Sequence, residues 1–459
     1  MSIKLSKLQK ENLLKMTSAE RVAFIEEQEE AAASASPDER GVDWVRYSTK
    51  MIGKEEVEVP IVCIENTGAL LKHFEITTRY NEMSKDIEIV IPSETFHRDT
   101  EMNTKLTWII NKAHHKGLSK NEIDQHIGYL ANKSAYHPVK DWILSKPWDG
   151  VSRLDDYYRT VTSETPLKEL FMRKWAIMAV AAVFNPDGIR GQGVLTFEGV
   201  QGLGKTTWLS SIVGNGNWIG EGQSLNPHDK DSVLETVSRW IVELGEIQST
   251  FRRSDIQSLK AFITKNEDRI RPPYAEKVNR YARRTVFFGT VDETNFLNDQ
   301  NGTRRFWTIS VSDVNINHGI DCQQLWAELH SLYNSGEQWW MDQNEIRQVN
   351  TSNEDYMVID PVEQELETHC TVLDMFAEDS DGVWLNATGI LKSIGFKSPN
   401  KGEVNLASKW LHRHKARYKK EHKRFFVKVS TPMFVVENQS NSGNHISAFG
   451  GSRVKGIFE

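Results

Sequence analysis

Apolar residues along the chain fall into runs of two periods. Val194-Leu195-Thr196-Phe197 is short, continuous, and rich in β-branched and aromatic residues, the pattern of a buried strand. Thr206 to Val213 follows as a helix, and residues 165–185 form another apolar helix ahead of both. Between 190 and 345, strands alternate with helices, which predicts a three-layer α/β core around a parallel sheet. Upstream, residues 103–160 are mostly helical, with Leu106, Ile109 and Ile110 and then Ile123, Ile127 and Leu130 at helical spacing. Short strands are expected from Asp43 to about Pro92, at Val57–Val59, Ile61–Ile64 and Ile87–Ile91. Residues 4–30 read as a helical arm, either a solvated helix, which is favoured, or a partner-binding arm, and Ala31 to Pro37 as a linker. Beyond the core, polar and acidic residues 351–367 read as a linker, and 368–430 as helix, turn, two helices and a closing β pair, the order of a winged helix.

This organisation predicts an arm and linker at 1–42 and a small α/β or β-rich region at 43–104. A helical collar or oligomerisation region follows at 105–188, then a nucleotide core at 189–345. A linker (346–367), a basic winged-helix-like domain (368–435) and a flexible tail (436–459) complete it. Composition adds limits. The 459 residues are 39% hydrophobic and 26% charged, and no apolar stretch has the length of a membrane span. The N-terminus lacks a signal-peptide core, and three widely spaced cysteines read as reduced thiols, so a cytoplasmic location is expected. With a formal net charge of −7, affinity for nucleic acid must come from local basic patches.

The chemistry centres on Gly199-Val200-Gln201-Gly202-Leu203-Gly204-Lys205-Thr206-Thr207, which fits G-x-x-x-x-G-K-[ST] between a strand and a helix. Glycines allow backbone N–H groups to face phosphate oxygens, and the helix start adds partial positive charge. Gly199, Gln201, Gly202, Leu203, Gly204, Lys205, Thr206 and Thr207 are the expected ATP-binding residues, with Lys205 on the terminal phosphates and the Thr206 hydroxyl on Mg²⁺. Trp240 to Glu246 reads as a strand ending in acids, 38 residues after Lys205. Glu243 is the second Mg²⁺ candidate, and Glu243 or Glu246 would orient the attacking water. Thr285 to Thr290 reads as a further core strand; Asp292 or Asn295 at its end could sense the γ-phosphate. Arg304 and Arg305, ahead of an apolar strand, suit transition-state charge stabilisation in the same subunit or from a neighbour.

Two basic stretches point to nucleic acid. Residues 252–284 interleave ten basic residues with Phe262, Tyr274 and Tyr281; Lys260, Arg269, Arg271 and Tyr274 are the leading contacts. From Lys409 to Lys428, nine basic residues face the single acid Glu421, with Arg413, Arg417, Lys419 and Lys420 as candidate phosphate contacts. Trp410 and Leu411 are expected in the core of that small domain.

The motifs in order resemble the virulence-associated E (VapE-like) family of phages and mobile elements, and the core is similar to that of superfamily-three helicases. Tyr136-His137-Pro138-Val139, Trp148 to Leu154, Glu198 to Thr206, Trp240 to Glu246 and Leu259 to Phe262 carry the resemblance. So do Asp268 to Tyr274, Arg283 to Thr290, and Phe296 to Asp299 through Arg304-Arg305-Phe306-Trp307. The resemblance implies a P-loop NTPase of AAA+ type: an ATPase ring, expected to be a hexamer, with ATP sites between subunits and single-stranded DNA driven through the pore. Residues 252–284 would be the DNA-facing insertion, Lys260 its pore residue, and Arg304 and Arg305 the finger and sensor. The basic patch of the C-terminal module, rather than the resemblance, points to DNA contact there, with recognition of origin duplex a further step. The chain departs from the family's Gly-Thr-Thr-Asn at Gly289-Thr290-Val291-Asp292. Two rival readings are a nucleotide-switched DNA-binding or assembly protein that unwinds little, and a primase-helicase with a cryptic synthesis site in residues 43–104.

Overall fold

The computed structural model describes residues 36–223, 225–245, 253–271, 277–292, 294–297, 303–357, 360–373 and 382–430, together with Thr17, Glu20 and residues 22–24. The rest of the arm and the tail expected at 436–459 lie outside the described residues. Two compact units form: residues 1–294 with 299–354, and residues 295–298 with 355–459.

The first unit is organised by a parallel five-stranded sheet. Its strands run in the order Phe306–Ser310, Val194–Glu198, Val286–Val291, Ile241–Leu244 and Ile219–Gln223. Val194–Glu198 is buried at every position, because it has a neighbour on each edge and a layer on each face. Adjacent residues of the central strand divide between the faces: Phe288 meets Trp175, Phe197 and Trp208, whereas Phe287 meets Phe262. Helix Lys168–Phe184 has little amphipathic pattern, since eleven of its residues are buried between the sheet and helix Cys322–Asn334.

Trp175, Trp208, Trp240, Trp307 and Trp326 are among the largest fully buried side chains. Each indole N–H has an acceptor: the carbonyls of Phe287, Ala179, Arg304 and Ile212 for Trp175, Trp240, Trp307 and Trp326, and Thr160 Oγ1 for Trp208. These bonds fix where each ring sits, because an unpaired buried donor would cost about 1–3 kcal/mol.

Ahead of the sheet, an antiparallel pair (Tyr47–Ile52 with Glu55–Pro60) leads into helix Ile64–His73 and a second pair (Thr77–Asn81 with Asp86–Val90). Ile61–Ile64, expected as a strand, instead enters that helix. The reason is Asn66, whose buried amide accepts from the Val45 and Arg46 N–H groups and donates to the Arg46 and Ile61 carbonyls, which pins the turn. Helices Glu101–His115, Ile123–Asn132, Pro138–Leu144 and Leu154–Arg159 match the helical pattern of 103–160.

The second unit contains helices Pro361–His369, Ala387–Ser393 and Lys401–Arg413 against strands Cys370–Val372, Val383–Leu385, Tyr418–Lys419 and Arg424–Val429. Arg424–Val429 pairs with the other three strands. Trp410 and Leu411 are buried among Leu366, Ile390 and Phe425, as their apolar character demands. Val362 and Leu366 also enter this core, so the stretch read as linker supplies a helix.

Candidate active site

The glycine loop follows the carboxyl end of Val194–Glu198, where it is flanked by the ends of Val286–Val291 and Phe306–Ser310. Gly199 must be glycine, because a Cβ there would stand 2.5 Å from the Val311 carbonyl oxygen. Gly204 caps helix Lys205–Val213 at φ 88°, a left-handed conformation, and the first N–H groups of a helix have no partner within it.

The helix places three functional groups at the strand ends. Lys205 is buried at 6% exposure; its Nζ donates to the carbonyls of Gly199, Val200 and Val291 and pairs with Asp292 Oδ1 at 2.8 Å. Thr206 Oγ1 donates to Glu243 Oε1 at 2.6 Å. Glu243 is 2% exposed; it also accepts from Thr290 Oγ1 at 3.1 Å and, on its other oxygen, from the Gly222 N–H at 3.4 Å. A cleft of about 420 Å³ opens here, lined by Gln201, Thr206, Glu221, Gly222, Glu243, Gly245, Thr290, Val291 and Asp292. Around it, Gln201, Gly202 and Thr207 are exposed and Leu203 is half-buried against the core.

The arrangement gathers Lys205, Thr206, Glu243 and Asp292 in one place. It does not gather all the residues the sequence nominates. Arg304 and Arg305 precede Phe306, which pairs with Val194, at the opposite end of the parallel strands from the loop. About 15 Å of strand therefore separates them from the loop in the same chain. Asn295 belongs to the second unit. Glu246 and Tyr274 lie outside the described residues.

The nucleic-acid candidates separate in the same way. Lys260, expected to face DNA, is instead buried at 3% exposure in this chain, on the helix whose Phe262 packs under the sheet. Arg269 and Arg271 are exposed, and Arg269 pairs with Glu267 at 2.8 Å. Arg283 is buried and held bidentately by Asp268 at 2.7 and 2.8 Å, with its guanidinium 4.2 Å over the Phe262 ring. It is a structural clamp at the base of the antiparallel pair Glu267–Ile270 and Asn279–Ala282. In the second unit, Arg413 pairs with Glu363 at 2.7 Å; Arg417 and Lys419 lie over Trp384 at 5.5 and 4.1 Å; and Lys420 is exposed.

Sequence reasoning missed the work of the Trp148–Leu154 motif. Asp149 takes Arg153 in a bidentate pair and donates its N–H to Gln324, while the Arg153 N–H reaches Glu328. The motif ties a loop to helix Cys322–Asn334. Its Asp and Arg, four apart, were the signal for an ion pair.

The fold and site define a class: a mixed α/β protein whose parallel sheet carries a lysine–carboxylate centre at the end of a glycine loop. Within that class, residues 143–358, the stretch that holds the sheet and the site, match the virulence-associated protein E-like domain. Among solved structures, the chain is similar to the apo C-terminal region of NrS-1, at 13% identity and a TM-score of 0.35 over 79% of this chain and 98% of that one. The A form of that apo region aligns at 14% identity and a TM-score of 0.35, with the same coverage. No curated protein matches the chain. Among the described residues, no helix is long and apolar enough to cross a membrane.

Proposed function

We propose that this chain is an ATP-driven DNA helicase or translocase in the replication of a phage or mobile element, built on a P-loop NTPase core of AAA+ and superfamily-three type. The observation that carries the reading is the convergence of Lys205, Thr206 and Glu243 at the carboxyl ends of parallel strands, behind a loop that requires glycine. The donor set fits Mg·ATP. The loop and helix start offer N–H groups to phosphates, Lys205 a cation, and Thr206 with Glu243 a hydroxyl and a carboxylate of the kind a hard cation takes. Bound Mg²⁺ would neutralise phosphate charge. Lys205 would hold the terminal phosphates, and Glu243, anchored by Thr290, would orient the attacking water.

The position of Arg304 and Arg305 supports a finger supplied by a neighbouring subunit, and so a ring, expected to be a hexamer, with single-stranded DNA in its pore. The element order of the second unit supports the winged-helix reading, in which Lys401–Arg413 would serve as recognition helix and Lys420–Lys423, between the last two strands, as a short wing. Its exposed cations suit duplex phosphate.

The test is steady-state ATP hydrolysis by the wild type and Lys205→Ala, with and without single-stranded DNA, across protein concentrations. Turnover stimulated by DNA, cooperative in protein and absent from the mutant is expected. Equal turnover in Lys205→Ala overturns the site. Slow hydrolysis indifferent to DNA turns the reading to a nucleotide-switched assembly protein.

A further inference from the structure

Lys205 already has partners for its ammonium within the chain. Its ammonium contacts three backbone carbonyls and Asp292 Oδ1. Asp292 is held in place by the end of the Val286–Val291 strand, yet its side chain is 50% exposed toward the cleft it lines. An amide at this position could donate to a phosphate oxygen. An ionised carboxylate only accepts, and a phosphate offers it no donor. The Thr206–Glu243 pair is made without Asp292, so the metal cradle does not depend on it.

We propose that Asp292 is a specificity-determining latch: it holds Lys205 in the nucleotide-free site and selects against a third phosphate. This inference rests on the nucleotide reading given above. A diphosphate leaves room for Lys205 to be shared between its terminal phosphate and Asp292. A triphosphate sets its last phosphate against the carboxylate and must take Lys205 away from it. Triphosphate capture is thereby made costly until another subunit or DNA moves the 292 position. A unit charge a few ångströms from a phosphate, discounted for the half-exposed carboxylate, predicts about a tenfold effect on affinity.

Equilibrium binding of fluorescent ADP and ATPγS to the full chain with Mg²⁺ tests this, for the wild type, Asp292→Asn and Asp292→Ala. The wild type is expected to favour ADP. Asp292→Asn should tighten ATPγS by about tenfold and ADP by less than about threefold. Asp292→Ala should shift the ratio in the same direction, which guards against a special effect of the amide. An unchanged ratio in both variants overturns the latch while leaving the nucleotide site standing. Weaker ATPγS binding in both also overturns it and assigns Asp292 to the metal. If none of the folded proteins binds either nucleotide, the functional reading fails and the latch with it.

Discussion

Removing the partner of Arg283 is the sharpest test of how the basic segment is built. Both side chains of the Arg283–Asp268 pair are essentially inaccessible, at 0% and 2% exposure, and the bidentate bonds of 2.7 and 2.8 Å are joined by a third from Nη1 to the Phe262 carbonyl at 3.3 Å. Asp268→Ala leaves a guanidinium with no counter-charge in a dry site. Breaking one side of such a pair costs about 3–5 kcal/mol, and replacing both sides with apolar groups of similar volume costs far less. The expected result is a loss of about 3–5 kcal/mol in urea unfolding for Asp268→Ala, and at least half of it recovered in the Asp268→Leu/Arg283→Met double variant. A cost under about 1 kcal/mol for the single variant would refute the burial argument. So would a double variant no more stable than the single.

Glu243→Gln preserves the shape of the Thr206 and Thr290 contacts and removes the charge; nucleotide binding should persist while turnover falls by about 10²-fold or more in a phosphate-release assay. His137 is buried with neither ring nitrogen hydrogen-bonded, and burial, then the charges of Arg284, Lys85 and Lys140, push its pKa down to about 3. Below the ordinary value of 6.5 the unfolded chain takes up a proton that the folded one refuses, so stability should fall as pH drops from about 6.5 toward 3; His137→Phe should flatten this limb in pH-dependent thermal unfolding. Lys419→Ala with Lys420→Ala should weaken duplex binding and reduce the slope of log affinity against log salt by about 2, measured by fluorescence anisotropy.

What was legible in the sequence was whatever depends on local order. The strand at Val194, the glycine loop and helix Lys205–Val213 are contiguous, so their pattern and spacing predict them together. Glu243 was legible because an apolar strand ends there. The Lys205–Asp292 pair spans 87 residues and exists only because the strand ending at Val291 lies beside Val194–Glu198; no local pattern reports that adjacency. Charge counting failed for a different reason. It gives Arg283 and Lys260 the same sign as Arg269 and Arg271 but not the side of the helix or hairpin they occupy, and Asp268 sits within the same basic stretch.

Strand direction also decides what one chain can do alone. Because Phe306–Ser310 runs parallel to Val194–Glu198, the arginines before it stand at one end of the sheet and the glycine loop at the other. Neither the three bonds that seat Lys205 on backbone carbonyls nor the 2.6 Å Thr206–Glu243 bond involves them. A subunit with its own arginines deleted would therefore keep an intact nucleotide pocket, and one with Lys205 deleted would keep intact arginines. Two inactive variants, Lys205→Ala and the Arg304→Ala/Arg305→Ala pair, would then restore hydrolysis when mixed, because some interfaces in a mixed ring join a whole pocket to a whole arginine pair. A single-chain site gains nothing from mixing, since each defective subunit would remain defective. On the proposed reading the arginines that act at a pocket come from a neighbouring chain, so recovery of hydrolysis on mixing is expected, and its failure would refute that part of the reading.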